Sequence, residues 1–205
     1  MAADISKTLE SIIERMDLIK ADEIPNIDLY MDQVTTFMES HLGKLKRNPD
    51  DKVLTKTMIN NYAKNDLLPS PDKKKYSKNH VIMLTFIYYF KNVLSINDIK
   101  TLMQKITDGH FQEGSEPGLQ DIYTEVLRFQ PEIIDMVRKD LEEKTQMANG
   151  SFAGSPEEEA EHLKLFSLIC LLCFDVYIKK TLIEAVIDGL NMAAEPEKEK
   201  KTKEK

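Results

Sequence analysis

The chain has 205 residues, of which 41% are apolar and 31% charged, with a formal net charge of -7; this is enough apolar material for a packed core of one or two domains, and it excludes a short peptide or a wholly disordered chain. It contains only seven glycines and eight prolines, whereas an average chain carries roughly 12% of the two together. That is too little punctuation for a sandwich or barrel, which needs a turn signal every 8–12 residues or so, and the expected fold class is all-α.

In chain order, Ile5, Leu9, Ile12, Ile13, Met16 and Ile19 recur at helical spacing with acidic residues between them, which predicts an amphipathic docking helix in residues 1–24. Pro25 and Asn26 interrupt. Leu29, Met31, Val34, Phe37, Met38 and Leu42 then predict a second helix that stops near Gly43. A basic connector follows over 44–52 (KLKRNPDDK). Thr55 is placed to cap a third helix through Tyr62 and Lys64, which ends before LLPSP because Pro69 and Pro71 forbid continuation. After Lys73, Lys74 and Lys75, Ser77 caps a fourth helix through VIMLTFIYYF, whose all-round apolar surface predicts a central, buried position. Ser95 with Asp98 opens a fifth, with Ile96, Ile99, Leu102, Met103 and Ile106 on one face. Residues 25–106 are read as one domain.

The stretch 107–118 (TDGHFQEGSEPG) reads as a linker and a domain boundary. Beyond it Leu119, Ile122, Tyr123, Val126 and Leu127 form a helical face. Pro131 kinks that helix or starts another, which carries Ile133, Ile134, Val137 and Leu141. A loop over 145–155 leads to Ser155, Pro156 and Glu158 at the N-cap, N1 and N3 positions of a long helix from 156 to about 192. The uncharged middle of that helix, LFSLICLLCF, is read as core, as an enclosure for a small effector, or as a subunit interface. Residues 119–192 thus make a C-terminal helical region, and the charged tail over 193–205 is expected to be disordered.

No stretch approaches the roughly 18 apolar residues of a membrane span, and the N-terminus has no basic start followed by an apolar run. Two cysteines make no disulfide framework. The expectation is a cytoplasmic protein with no membrane partner. Cys170 and Cys173 make a CxxC, but one in an apolar helix with no second pair, and buried packing is the expected role. His41, His80, His110 and His162 are scattered. No phosphate loop, HExxH or GxSxG occurs, so no enzyme, metal or cofactor is expected.

Charge is unevenly placed. Residues 1–40 carry 3 basic and 9 acidic side chains and residues 106–205 carry 12 and 21, whereas residues 41–105 carry 13 basic and 5 acidic, a balance of +8. Lysines gathered on one domain attract phosphate whatever the net charge; the same lysines would equally make a solvated face. Within the island, the third helix (TKTMINNYAKND) has Lys56, Thr57, Asn60, Asn61 and Lys64 for an outer face while Met58, Ile59 and Tyr62 point inward. Asn can bond adenine bidentately and Lys neutralises phosphate, so this is the composition of a recognition helix; a lysine turn at Lys73, Lys74 and Lys75 beside it would grip the backbone. The candidate DNA-binding residues are Thr55, Lys56, Thr57, Asn60, Asn61, Lys64, Lys73, Lys74, Lys75 and Tyr76.

Residues 55–103 also resemble the winged-helix DNA-binding domain of MerR-type regulators. Thr55 stands at the cap, Ile59 and Tyr62 at packing positions, and Leu67, Leu68 and Pro69 at the exit. Tyr76–Ser77, Leu84, Phe86–Ile87, Leu94–Ser95–Ile96 and Ile99 keep the register. The chain departs from that pattern with Asn60 in place of Arg, Asn61 in place of Tyr and Asp66 in place of Gly. From IDLYMDQVTTFMESHL through the winged helix it is similar to the bacterial family catalogued as domain of unknown function 1836. The MerR resemblance implies a wing, short in this chain with Lys73 to Lys75 in place of the family's arginines, a sequence-specific transcriptional regulator that binds double-stranded DNA as a homodimer, and an unidentified small-molecule effector. The absence of a metal-ligand set after residue 106 weighs against metal sensing. The alternative is a non-enzymatic helical interaction module of MerR-like fold that has lost DNA binding, which the replaced Arg and Tyr would explain.

Overall fold

The computed structural model describes residues 2–16 and 18–203, and its regular structure is almost entirely helical. The elements are α1 (Ala2–Arg15), β1 (Leu29–Tyr30), α2 (Met31–Leu42), a 3-10 turn (Gly43–Leu45), α3 (Lys56–Lys64), β2 (Lys75–Tyr76), α4 (Lys78–Phe90), α5 (Ile96–His110), α6 (Leu119–Leu127), α7 (Gln130–Asn149) and α8 (Glu157–Lys203). The two short strands pair antiparallel, Leu29 with Tyr76 and Tyr30 with Lys75. No helix among the described residues is long and apolar enough to cross a membrane. The charged tail expected over 193–205 falls on residues whose side chains lie outside the described set.

The chain divides into two compact units, one formed by Met16–Leu127 with Ile183–Lys205 and the other by Met1–Arg15 with Arg128–Leu182. The stretch 107–118, read as a boundary, lies inside the first unit, and the division falls after Leu127. The reason is α6: Leu119 and Tyr123 are each 1% exposed in the core that α4 organises, so this helix packs with what precedes it. The Tyr123 ring meets Phe86 of α4 edge to face at 5.2 Å.

α4 is the central helix its composition predicts. Val81, Ile82, Met83, Leu84 and Ile87 are at most 1% exposed, and around them pack Val34, Met38 and Leu42 of α2, Ile59 of α3 and Ile99 of α5. Thr85, the polar residue in that run, is satisfied by donating to the Val81 carbonyl at 2.9 Å. Its first turn is closed by a histidine, since the backbone N–H of Ser77 donates to His80 Nδ1 at 3.0 Å, the reciprocal half of a capping box usually supplied by Glu or Gln.

In the other unit, α1 is tied to α7 by a bidentate pair, Arg138 Nε and Nη2 donating to the two carboxylate oxygens of Glu10 at 2.9 Å each. Pro131 sits in the first turn of α7, so it starts a new helix there. The segment Leu165 to Phe174 is not core: Leu168 is 2% exposed, but Phe166, Ile169 and Phe174 are half or more exposed. Cys173 is likewise exposed and Cys170 half-buried, which corrects the expectation of buried packing.

Candidate nucleic-acid interface

α3 is built as its sequence demands. The Thr55 hydroxyl accepts from the Met58 N–H at 3.1 Å, and the Thr55 N–H reaches the Met58 sulfur at 3.5 Å. Ile59 is fully buried and Tyr62 is 7% exposed. The helix ends in a Schellman motif: the Leu67 N–H donates to the Tyr62 carbonyl at 2.9 Å and the Asp66 N–H to the Ala63 carbonyl at 3.3 Å. Asp66 takes the left-handed conformation this motif needs (φ 56°), at the position where the MerR-type pattern has glycine. Its carboxylate lies 3.6 Å from Lys100 of α5, whose ammonium also donates to the Asn65 carbonyl at 2.8 Å.

With Ile59 and Tyr62 turned inward, Lys56, Thr57, Asn60, Asn61 and Lys64 are all exposed and form one polar strip. Thr55 is half-buried and engaged as the cap.

The lysine cluster is a tight turn. The Lys75 N–H donates to the Asp72 carbonyl at 2.8 Å, and the two residues between, Lys73 and Lys74, have φ of 46° and 65°. This is the type I′ pattern, in which both central residues are left-handed and Asn-Gly is the usual choice. Lysine at both positions costs roughly 1–2 kcal/mol each, and it displays two exposed ammonium-bearing side chains at the tip. Of the expected wing, a four-residue turn with one bridge is present.

The strip and the turn meet at the N-terminus of α2. Lys56 of α3 forms an ion pair with Asp32 in the first turn of α2, both side chains exposed. Lys75 pairs its backbone with Tyr30, the residue preceding α2, and its ammonium stands 5.6 Å from the centre of the Tyr30 ring. Tyr30 is 55% exposed. Spacing alone misses both Tyr30 and Asp32, because Leu29 and Met31 read as one helix and the two-residue strand Leu29–Tyr30 has no signal of its own. Tyr76, by contrast, is only 3% exposed and packs edge to face on His80 at 5.5 Å. It is a core residue and offers no surface to a ligand; burial also pushes its hydroxyl above the usual tyrosine range. Among the described residues no cluster of His, Cys, Asp and Glu could hold a metal ion.

The connector between α2 and α3 is pinned. Glu39 of α2 accepts from Lys46 Nζ at 2.5 Å and from the Val53 N–H at 3.3 Å, and the Lys46 hydrogen bond, aided by Val53, holds its carboxyl below the usual carboxylate range. Lys91 at the end of α4 donates to the Val53 carbonyl at 2.8 Å from the other side.

No curated protein and no solved structure matches this chain. The family described as "Domain of unknown function (DUF1836)" matches residues 19–126, more than half of the chain and nearly the same residues as the Met16–Leu127 segment. The chain belongs to that family.

Proposed function

We propose that this member of the DUF1836 family is a transcriptional regulator of MerR-like type that binds duplex DNA as a dimer, with the outer face of α3 in the major groove and the Lys73–Lys75 turn on the phosphate backbone. The observation that carries the reading is the convergence of an exposed Lys/Thr/Asn strip and a strained lysine turn on the N-terminus of one helix. The strip offers Asn60 and Asn61 for bidentate contact to adenine, and Lys56 and Lys64 for phosphate. The turn spends conformational free energy to present lysines where Asn-Gly would be more stable, and left-handed non-glycine residues concentrate at functional sites. The N-terminus of α2 adds a partial positive charge between them. On this reading Asp32 occupies Lys56 until phosphate displaces it, a modest cost for an exposed pair. Dimerisation is assigned to α8, whose Phe174, Tyr177, Ile178 and Leu182 are each more than 60% exposed.

The test is a duplex titration over a range of salt. Substituting Asn60 or Asn61 should relax base preference, whereas substituting Lys73, Lys74 and Lys75 should weaken binding on every sequence and lower the salt slope by roughly one for each phosphate-bound lysine removed. Unchanged isotherms in both variants would overturn the reading. The exposed apolar side of α8 favours the alternative, a protein-interaction module without DNA affinity, and that module would give no salt-dependent duplex binding at all.

A further inference from the structure

The basic connector and the end of α4 line a second positively charged feature, which includes none of the residues of the α3 strip. Lys46, Arg47 and Lys52 of the connector, with Tyr88 and Tyr89 of α4 and Lys91 just past its end, line a cleft of about 560 Å³. Lys46 is neutralised by Glu39. Arg47, Lys52 and Lys91 have no ion-pair partner among the described residues, and the acid on the wall is the exposed Asp51. Lys91 is the unusual member. It is half-buried, its ammonium donating to the Val53 carbonyl and standing 4.8 Å from the centre of the Tyr88 ring, so a cation is desolvated with a carbonyl and an aromatic face as its company. Burial pushes it below the usual lysine range, as expected for a charge short of a counter-ion.

We propose that this cleft binds a small organic anion carrying a phosphate ester, with Arg47, Lys52 and Lys91 on the phosphate and the Tyr88–Tyr89 wall against the organic part. Three cations without an ion pair, of which Lys52 also feels the nearby Glu39 carboxylate, line a concavity suited to an anion with more than one oxygen, and Arg47 supplies the planar fork suited to phosphate. The size falls within the roughly 300–1,000 Å³ typical of small-molecule sites. The cleft is concave and backed by two aromatic rings, which fits a compact ligand better than a duplex backbone, whose contacts are made by projecting side chains such as Lys73 and Lys74. The inference does not depend on the DNA reading.

The experiment is calorimetric titration of adenosine 5′-monophosphate, with adenosine as control, into the full chain at low salt. The parallel protein carries Arg47→Gln and Lys52→Gln, both exposed positions whose replacement leaves the core intact. The expected result is saturable binding of the monophosphate, none of adenosine, and affinity roughly tenfold weaker or worse in the variant, with an unchanged thermal midpoint. Equal binding by wild type and variant, equal binding of adenosine, or no heat with the monophosphate would overturn the proposal. So would a variant that loses duplex affinity while the monophosphate binds neither protein, since the cleft would then belong to the DNA backbone.

Discussion

The hydroxyl of Tyr123 donates to the main-chain carbonyl of Ile19 at 2.5 Å, and both residues are 1% exposed. The family segment runs from residue 19 to residue 126, so this bond joins its two ends across 104 residues of chain. It explains why α6 belongs with the domain that precedes it: without that helix the Ile19 carbonyl would be buried with no donor.

Replacing Tyr123 with Phe keeps the ring on Phe86 and removes the donor. Leaving a buried carbonyl unsatisfied costs roughly 1–3 kcal/mol. The denaturant midpoint should fall by a corresponding amount with an unchanged slope. An unshifted midpoint would mean that the bond is not what closes the domain.

The Lys73–Lys74 turn should trade stability for binding. Lys73→Asn with Lys74→Gly installs the favoured type I′ residues and should relieve most of that strain, for a net stabilisation of roughly 1–2 kcal/mol after the entropy cost of the new glycine, seen as a higher midpoint in thermal unfolding. The same change removes two exposed cations and should weaken duplex binding. A variant that is more stable and binds as well as wild type would deny the lysines any role in holding phosphate.

His80 gives the fold a dependence on acid. Burial is the main cause that holds its imidazole below the ordinary value of 6.5, against the opposing pull of the backbone at Ser70 and Pro69 and of Asp28. The folded state therefore resists protonation that the unfolded chain accepts. The stability this contributes is complete above the unfolded value and is lost as pH falls through the lower, folded one. His80→Gln keeps an acceptor for the Ser77 N–H and cannot titrate. As pH falls below 6.5 the wild type should lose stability more steeply than this variant; parallel curves would show that the imidazole does not carry the effect.

The exposed apolar side of α8 predicts an oligomer. Tyr177 is 68% exposed, Ile178 65% and Leu182 63%, an arrangement costly to leave in water and suited to a second copy. Sedimentation equilibrium should give a dimer for the wild type, and Tyr177→Glu with Leu182→Glu should give a monomer of unchanged helicity. A wild-type monomer would contradict the assignment.

Much of this architecture is legible in the residues, because its determinants are local. Thr55, Ser77 and Ser95 each precede a helix as cap residues, and the all-round apolar run of α4 announces its burial. Legibility stops where a property depends on partners distant in sequence. Tyr76 reads as part of a basic turn, yet its register opposite Leu29 directs it into the core. The 107–118 stretch is polar and rich in glycine, as linkers are, but the bond from Tyr123 to Ile19 binds the following helix back across it. The uncharged stretch in α8 reads as core, effector enclosure or subunit interface, because composition cannot tell how many neighbours a helix will have. On the candidate site, the cap and the inward residues of α3 follow from spacing alone, whereas Asp32 and Tyr30 at the end of α2 emerge only from the packing of the turn against that helix.

Recognition of duplex DNA by α3 and the lysine turn is the property to measure. The most direct measurement is selection of bound fragments from sheared genomic DNA of the source organism, followed by sequencing, with wild type beside a variant carrying Glu in place of Lys73, Lys74 and Lys75. Enrichment of a few palindromic sites by the wild type, lost in the variant, is the expected result. Uniform recovery of unenriched DNA by both proteins would contradict it.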